Sequence, residues 1–365
     1  MITGARNERL FDEHGREFVD LSAGYGSAWL GHDHPAVRRA IAAQLETYAT
    51  PGYLPFAALE SARAALAAFI PQGHFVGGIY STGMEAMETA LRAAWAQTGR
   101  RDVAGFAGST HGRSYLTSAI GAAEGDPRPA FVHGLPGFAA GARAVNEALE
   151  HLARRVRLAA IVVEPIQMTG GGHALERESC ERIFALAAEQ GATVIFDETL
   201  TALYRCGARS YAEAMGVSPD ILLLGKGLAN GFPASAVALR HGFAWDREKV
   251  KPGSTYWNHP LACAAVAATL TELGRADAPA RVAAIEQTIR RELGHLALRG
   301  RGAMWCLESP QSGRQRELAD ALFAAGVVVS YYDRYLRLLP PLTIDGDALA
   351  RACRAIATAH ADTFG

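Results

Sequence analysis

Four polar features of this sequence fall where short apolar runs end, and together they could do covalent chemistry at an amine. Ile221, Leu222, Leu223 and Leu224 form an unbroken apolar run, the pattern of a strand covered on both faces, and Lys226 leaves its end. Gly225, Gly227 and Gly231 flank the lysine with backbone that lets a ligand come close. An amine so placed can form a Schiff base with an aldehyde. The competing reading is a solvated loop lysine, the ordinary fate of most of the 36 Lys and Arg residues. Asp197 follows a second apolar run at 192–196, and Glu164 follows a third at 158–163. Either acid alone could simply cap the next helix. Ser81-Thr82-Gly83 is a small-residue turn feeding a helix, where free N–H groups at the positive end of the dipole make a ready phosphate site. Ser, Thr and Gly are also ordinary caps. A further candidate, Arg337, sits among apolar residues in YLRLLPPLTI. Such an arginine calls for an anionic partner, and a carboxylate is its bidentate match; snorkelling from an edge strand is the alternative.

The elements that must position these residues alternate along the chain. Residues 8–21 read as a hairpin turning at Glu13-His14-Gly15, followed by a helix over 35–48 that opens at Pro35. Phe56, Leu59, Ala62, Leu66 and Phe69 share one face of a helix over 56–70. A strand ending at Ile79 and Tyr80 leads through the 81–83 turn into a helix with Glu85 and Glu88 in its first turns. Strands at 103–107, 158–163 and 192–196 then alternate with helices at 141–155 and 176–190. That order predicts an α/β fold with a mostly parallel central sheet and helices on both faces, and a ligand site beyond the carboxyl ends of the strands. Helices at 260–273, 278–297 and 314–325, with strands at 302–307 and 327–329, predict a smaller α/β domain. The large domain is expected over 50–256 and the small one from 1–49 and 257–365.

Composition removes other classes. A chain that is 49% hydrophobic and 20% charged is an ordinary soluble globular protein, and a net charge of -1 gives no case for nucleic acid or an acidic membrane as partner. Cys180, Cys206, Cys263, Cys306 and Cys353 are scattered without metal-type pair spacing, so no metal and a reducing cytoplasm are expected. The charged start lacks the apolar core of a secretory signal, and no apolar stretch approaches the roughly 20 residues that span a bilayer. Gly227 after Lys226, and Asp220 six residues before it, exclude a P-loop.

A lysine amine, an acid and a phosphate cup are what pyridoxal 5'-phosphate requires: the lysine takes the aldehyde, and the acid keeps the pyridine nitrogen protonated so that the ring acts as an electron sink. From LFDEHGREFVDL and LGHDHPAV to RLLPPLTI, the ordered motifs resemble the class III (ornithine/4-aminobutyrate type, fold-type I) aminotransferase family over nearly the whole chain. STGMEA is similar to that family's phosphate loop, which implies phosphate contacts from Gly83 and Met84 N–H groups beside Thr82. VVEPIQ implies a structuring role for Glu164, IFDETLTALYRCG places Asp197 at the pyridine nitrogen, and LLLGKGLANGFP makes Lys226 the Schiff-base lysine. STYWNHPLA resembles the segment by which a neighbouring subunit donates a threonine to the phosphate, which implies Thr255 and a homodimer. The same matching makes Arg337 the clamp for a substrate carboxylate and puts Tyr25 in the substrate pocket.

Departures from the family pattern are informative. Thr110 stands before His111 and Gly112 where an aromatic residue usually stacks on the cofactor ring. Leu200 replaces a glutamine that contacts the ring hydroxyl, Thr199 replaces the hydrophobic residue behind the ring, and Met84 replaces a hydroxyl residue. Thr169 occupies the position of a glutamate that pairs with the arginine and switches it off, so Arg337 is expected to be permanently available. The segment before the first hairpin is also shorter than is usual in the family. The expected reaction is transamination between a carboxylate-bearing amine and a keto acid or aldehyde. Racemisation, amine migration and decarboxylation on the same cofactor are the alternatives, and a non-catalytic phosphate-ligand binding protein is a third.

Overall fold

The three apolar runs that end in Glu164, Asp197 and Lys226 become neighbouring strands at the centre of one seven-stranded sheet. In the computed structural model, which describes residues 1–365 except Tyr53, Glu124, Asp333 and the Arg247 side chain, this sheet runs His74–Tyr80, Ser235–Arg240, Ile221–Leu224, Thr193–Asp197, Ala160–Val163, Val103–Phe106 and Val132–Leu135. Pairing is parallel from Ile221–Leu224 outward to Val132–Leu135. Ser235–Arg240 runs antiparallel to both of its neighbours. The register explains why the site residues converge. Phe196 lies opposite Val163 and Asp197 opposite Leu223, so Glu164 and Asp197 leave the sheet at one level and Lys226 follows three residues beyond.

Both faces of these strands are covered, which is why they show no polar alternation. Val163, Val194, Phe196, Leu222 and Leu224 join one apolar cluster, which also takes in Val145, Leu149, Ile183 and Leu186 of the helices Ala142–Ala153 and Arg177–Gln190. Val162, Ile195, Ile221 and Leu223 point into the other, beneath Met87, Ala90, Leu91 and Ala94 of Gly83–Thr98.

The two ends of the chain share a second sheet. Ile2–Arg6, Arg9–Asp12 and Glu17–Asp20 form a meander that takes Val327–Val328 as a parallel edge strand. A third sheet, Leu298–Arg301, Met304–Glu308, Tyr335–Leu338 and Ser330–Tyr332, carries Arg337. Helix Pro260–Arg275 packs against both Pro35–Leu45 and Ala57–Ala67, so it ties the C-terminal half to the early helices.

Two expectations are corrected locally. The helix over 278–297 ends at Leu293, and a hairpin replaces the single strand at 302–307, because Gly302 turns the chain with φ 58° where an added Cβ would meet the Arg205 carbonyl oxygen at 2.3 Å. Strands Ile2–Arg6, Val132–Leu135 and Ser235–Arg240 were not anticipated from pattern. All five cysteines are buried and free, and no described helix is long and apolar enough to cross a membrane.

Candidate active site

Beyond its strand, Lys226 turns the chain with φ 43°, a left-handed conformation that costs a non-glycine residue about 1–2 kcal/mol. Its side chain opens into a cavity of about 1160 Å³ whose lining includes Tyr25, Thr110, His111, Thr169 and Arg337. Lys226 is exposed to this cavity. Burial lowers its pKa below the ordinary lysine value; Glu164 and Asp197 oppose that shift, and Arg337 and Arg205 add to it.

Asp197 is buried at the strand end. Its carboxylate accepts hydrogen bonds from His111 Nδ1 at 2.8 Å and from the Thr199 N–H at 3.2 Å. Burial alone would raise its pKa, but the hydrogen bond and charge of His111, with the Thr199 contacts, outweigh it and hold the group below the usual carboxylate value. His111 Nε2 is buried with no partner among the described residues. Glu164 accepts the Thr110 N–H at 2.7 Å, and burial raises its pKa to about 7 despite opposing charges on His111 and Lys226.

Strand alternation separates the next acid from the site. Glu198 turns away from Asp197 to accept hydrogen bonds from the Tyr211 and Ala212 N–H groups and the Thr201 hydroxyl, pinning the start of helix Tyr211–Met215. Burial raises its pKa to about 7 although these bonds favour the ionised form. A carboxyl group raised above its unfolded value stabilises the fold below that value, and the contribution is lost as pH rises through the folded one. Urea denaturation midpoints should therefore fall between about pH 5 and about pH 8, and Glu198→Gln should flatten part of that fall. An unchanged slope in the variant would count against this assignment.

At the start of Gly83–Thr98, the Thr82 hydroxyl accepts the Glu85 N–H at 3.2 Å, while Glu85 accepts the Ser81 and Thr82 N–H groups at 3.0 and 3.1 Å. Thr82 is thus engaged in capping. The Gly83 and Met84 N–H groups meet no acceptor among the described residues and stay available to an anion. Met84 has a second task, because its sulfur accepts the Arg113 N–H at 3.2 Å and supports the 110–114 turn. Small residues keep the space between this turn and the lysine open. A Cβ added at Gly225 would lie 2.8 Å from Ser235 Oγ and 3.1 Å from Thr199 Cγ2, and one at Gly83 would lie 3.9 Å from both.

Across the cavity, Arg337 is half-buried, its Nε has no partner, and it forms no ion pair among the described residues. Its guanidinium carbon stands 5.7 Å from the centroid of the exposed Tyr25 ring. Leu200 is buried against Gly26. Thr255 is exposed outside this cavity, in a groove with Leu54, Phe56 and Arg63; its neighbour Ser254 donates to Glu85 at 3.0 Å. Sequence reasoning missed Arg205, a buried cation without an acid partner among the described residues. It donates to the Gly26, Ala303 and Pro340 carbonyls at 2.9–3.3 Å and lies 3.9 Å from the centroid of the Trp29 ring. Its apolar setting in TALYRCG was the available signal.

Among the described residues no cluster of His, Cys, Asp and Glu could hold a metal ion. The open cradle, the free N–H pair, the ionised Asp197 and the accessible amine instead suit an aromatic aldehyde phosphate, and the fold is that of a fold-type I pyridoxal-phosphate-dependent transaminase. An amine transaminase from an uncultivated Pseudomonas species, solved in its PLP-bound form, matches with TM-score 0.89 and 25% identity over 100% of this chain and 95% of that one. The aminotransferase class-III family profile matches residues 1–359, and the chain belongs to that family. A protein of Aeropyrum pernix named putative LysW-aminoadipate semialdehyde/glutamate semialdehyde transaminase is 33% identical over 92% of this chain and 88% of its own. The 2-aminoadipate transaminase of Pseudomonas putida is 30% identical over 95% and 92%. Fold, family, cofactor and enzyme class thus agree with the expectations drawn from sequence.

Proposed function

We propose that the protein moves an amino group between a carboxylate-bearing amine and a keto acid or aldehyde, with Lys226 as cofactor anchor and proton carrier. The observation that carries this reading is the Lys226 amine, lowered by burial and opening into a cavity shared with an Arg337 that no described acid neutralises. Bound pyridoxal phosphate supplies an aldehyde that captures amines and a ring that takes up electrons. Lys226 Nζ would take a proton from the substrate carbon and return it across the amine nitrogen, at the carbon that was the aldehyde, a role that a lowered pKa favours at neutral pH. Asp197 stays ionised against the pyridine nitrogen, held in place by His111 and Thr199. Glu164 fixes the Thr110 turn beside it. Gly83 and Met84 N–H groups would hold the phosphate, joined by a Thr255 contributed across a homodimer interface. Leu54 shares a groove with Thr255, and exposed Leu54 and Tyr256, at 69% and 60% accessibility, support a homodimer that covers it.

Arg337 would hold the substrate carboxylate, with Tyr25 at the pocket mouth. The test is the half-reaction. A carboxylate-bearing amine should convert the cofactor to pyridoxamine phosphate, read by mass spectrometry, and a keto acid should reverse it. Arg337→Ala should lower kcat/KM for carboxylate-bearing amines by about 10- to 100-fold, the value of a charge-assisted hydrogen bond, and do much less to amines without an acid group. Turnover that needs no keto acid would contradict transamination.

A further inference from the structure

One buried guanidinium ties together the two sides of the cavity mouth. Arg205 is 2% exposed and lies outside the lining of the cavity around Lys226. A buried charge usually has an acid partner, because leaving water without one is costly. Arg205 spends its charge on backbone instead. Its Nη2 donates to the Gly26 carbonyl at 2.9 Å, and its Nη1 donates to the Ala303 and Pro340 carbonyls at 3.2 and 3.3 Å. The Ala303 N–H returns a bond to the Arg205 carbonyl at 2.9 Å, which anchors the residue to the hairpin turn, and the guanidinium carbon stands 3.9 Å over the Trp29 ring.

Gly26 follows Tyr25 directly, and Pro340 follows Arg337 by three residues. Those two side chains face each other at the cavity mouth, with the Arg337 guanidinium carbon 5.7 Å from the centroid of the Tyr25 ring. The backbone leading to Gly26 holds Ala23 and Tyr25 at φ 45° and 58°, left-handed conformations that such residues adopt only where the surroundings impose them. Asp20 pins the start of this stretch by accepting the Ser22 and Ala23 N–H groups at 2.8 and 3.0 Å, and Arg205 pins its end. A Cβ added at Gly26 would stand 2.8 Å from Leu200 Cδ1 and 3.6 Å from Leu339 Cδ1, so the close approach needs glycine. A rigid planar fork reaches both backbones at a fixed spacing, which a flexible ammonium does not.

We propose that Arg205 is a positioning residue that fixes the gap between Tyr25 and Arg337 from behind the cavity wall, and with it the fit of a substrate carboxylate. This rests on the reading of Arg337 as the carboxylate clamp.

Arg205 also helps to hold the Lys226 pKa down, so turnover alone does not isolate the positioning role. Calorimetric titration of the holoenzyme with valerate reads it without chemistry. Arg205→Met should weaken valerate binding about tenfold, within the range of coupling between residues of one network. Arg205→Lys keeps a cation but not the fork; it should weaken binding about three- to fivefold, and it carries the test if the methionine variant does not fold. Added to Arg337→Ala, either substitution should change binding by less than about twofold, because the group being positioned is gone. A merely structural role would cost the same in both backgrounds. Binding within about twofold of wild type in the folded Arg205 variants, or an equal loss on top of Arg337→Ala, overturns the proposal. Valerate binding that Arg337→Ala leaves unchanged overturns the clamp reading, and the proposal with it.

Discussion

Lys226→Ala is expected to lower turnover of any accepted amine by about 10⁴-fold or more while leaving the fold intact. In the proposed reaction the side chain has two tasks, capture of the cofactor aldehyde and movement of a proton, and alanine can do neither. No described neighbour can substitute. Glu164 is tied to the Thr110 N–H, Asp197 is committed to His111 and Thr199, and the Arg337 guanidinium does not deprotonate. Steady-state kcat at saturating amine and keto acid, with circular dichroism to verify folding, checks the expectation. Added methylamine should restore part of the activity by supplying a diffusible base. A variant within tenfold of wild type would contradict the role.

Asp197→Asn is expected to have the second largest effect, a loss of about 10²- to 10³-fold in kcat, the usual scale for removing one preorganised electrostatic partner. Asparagine has the same shape and retains an oxygen for the Thr199 N–H. What it loses is the second acceptor: its amide nitrogen would meet either the His111 Nδ1 hydrogen or the cofactor nitrogen, donor against donor. The negative charge proposed to keep the pyridine nitrogen protonated disappears as well. Equilibrium dialysis should therefore show weaker cofactor retention alongside the kinetic loss. Retention and turnover both within threefold of wild type would remove Asp197 from the site.

Much of the site was legible because apolar runs reveal where buried strands end. The runs before Glu164, Asp197 and Lys226 marked three candidate positions, and the sheet register brings them to one edge. The sequence could not tell Asp197 from Glu198 by composition; their opposite orientations follow from strand alternation, which only a known register resolves. Ser235–Arg240 went unrecognised because its short apolar run follows a loop rich in Gly and Pro and reverses the parallel pattern. Contacts between distant residues were also out of reach. Thr110 and Thr169 are separated by 59 positions, and Arg205 bonds carbonyls up to 179 positions away. Resemblance marked both threonines as substitutions, but the way their hydroxyls satisfy each other is visible only in three dimensions.

The same three-dimensional view shows what the Thr82 and Met84 side chains bond to. Thr82 spends its hydroxyl on the Glu85 cap and Met84 its sulfur on the Arg113 N–H, so the phosphate site proposed for this turn would rest on backbone N–H groups. A substitution that keeps the backbone, such as Met84→Leu, touches the 110–114 turn before it touches the phosphate.

Lys226, Lys249 and Lys251 are the only lysines in the sequence, which makes one measurement unusually decisive. Protein loaded with pyridoxal phosphate is treated with borohydride, digested and mapped by mass spectrometry. The expected result is a pyridoxyl group on Lys226. A label on Lys249 or Lys251 alone, or no label at all, would contradict the account at its base.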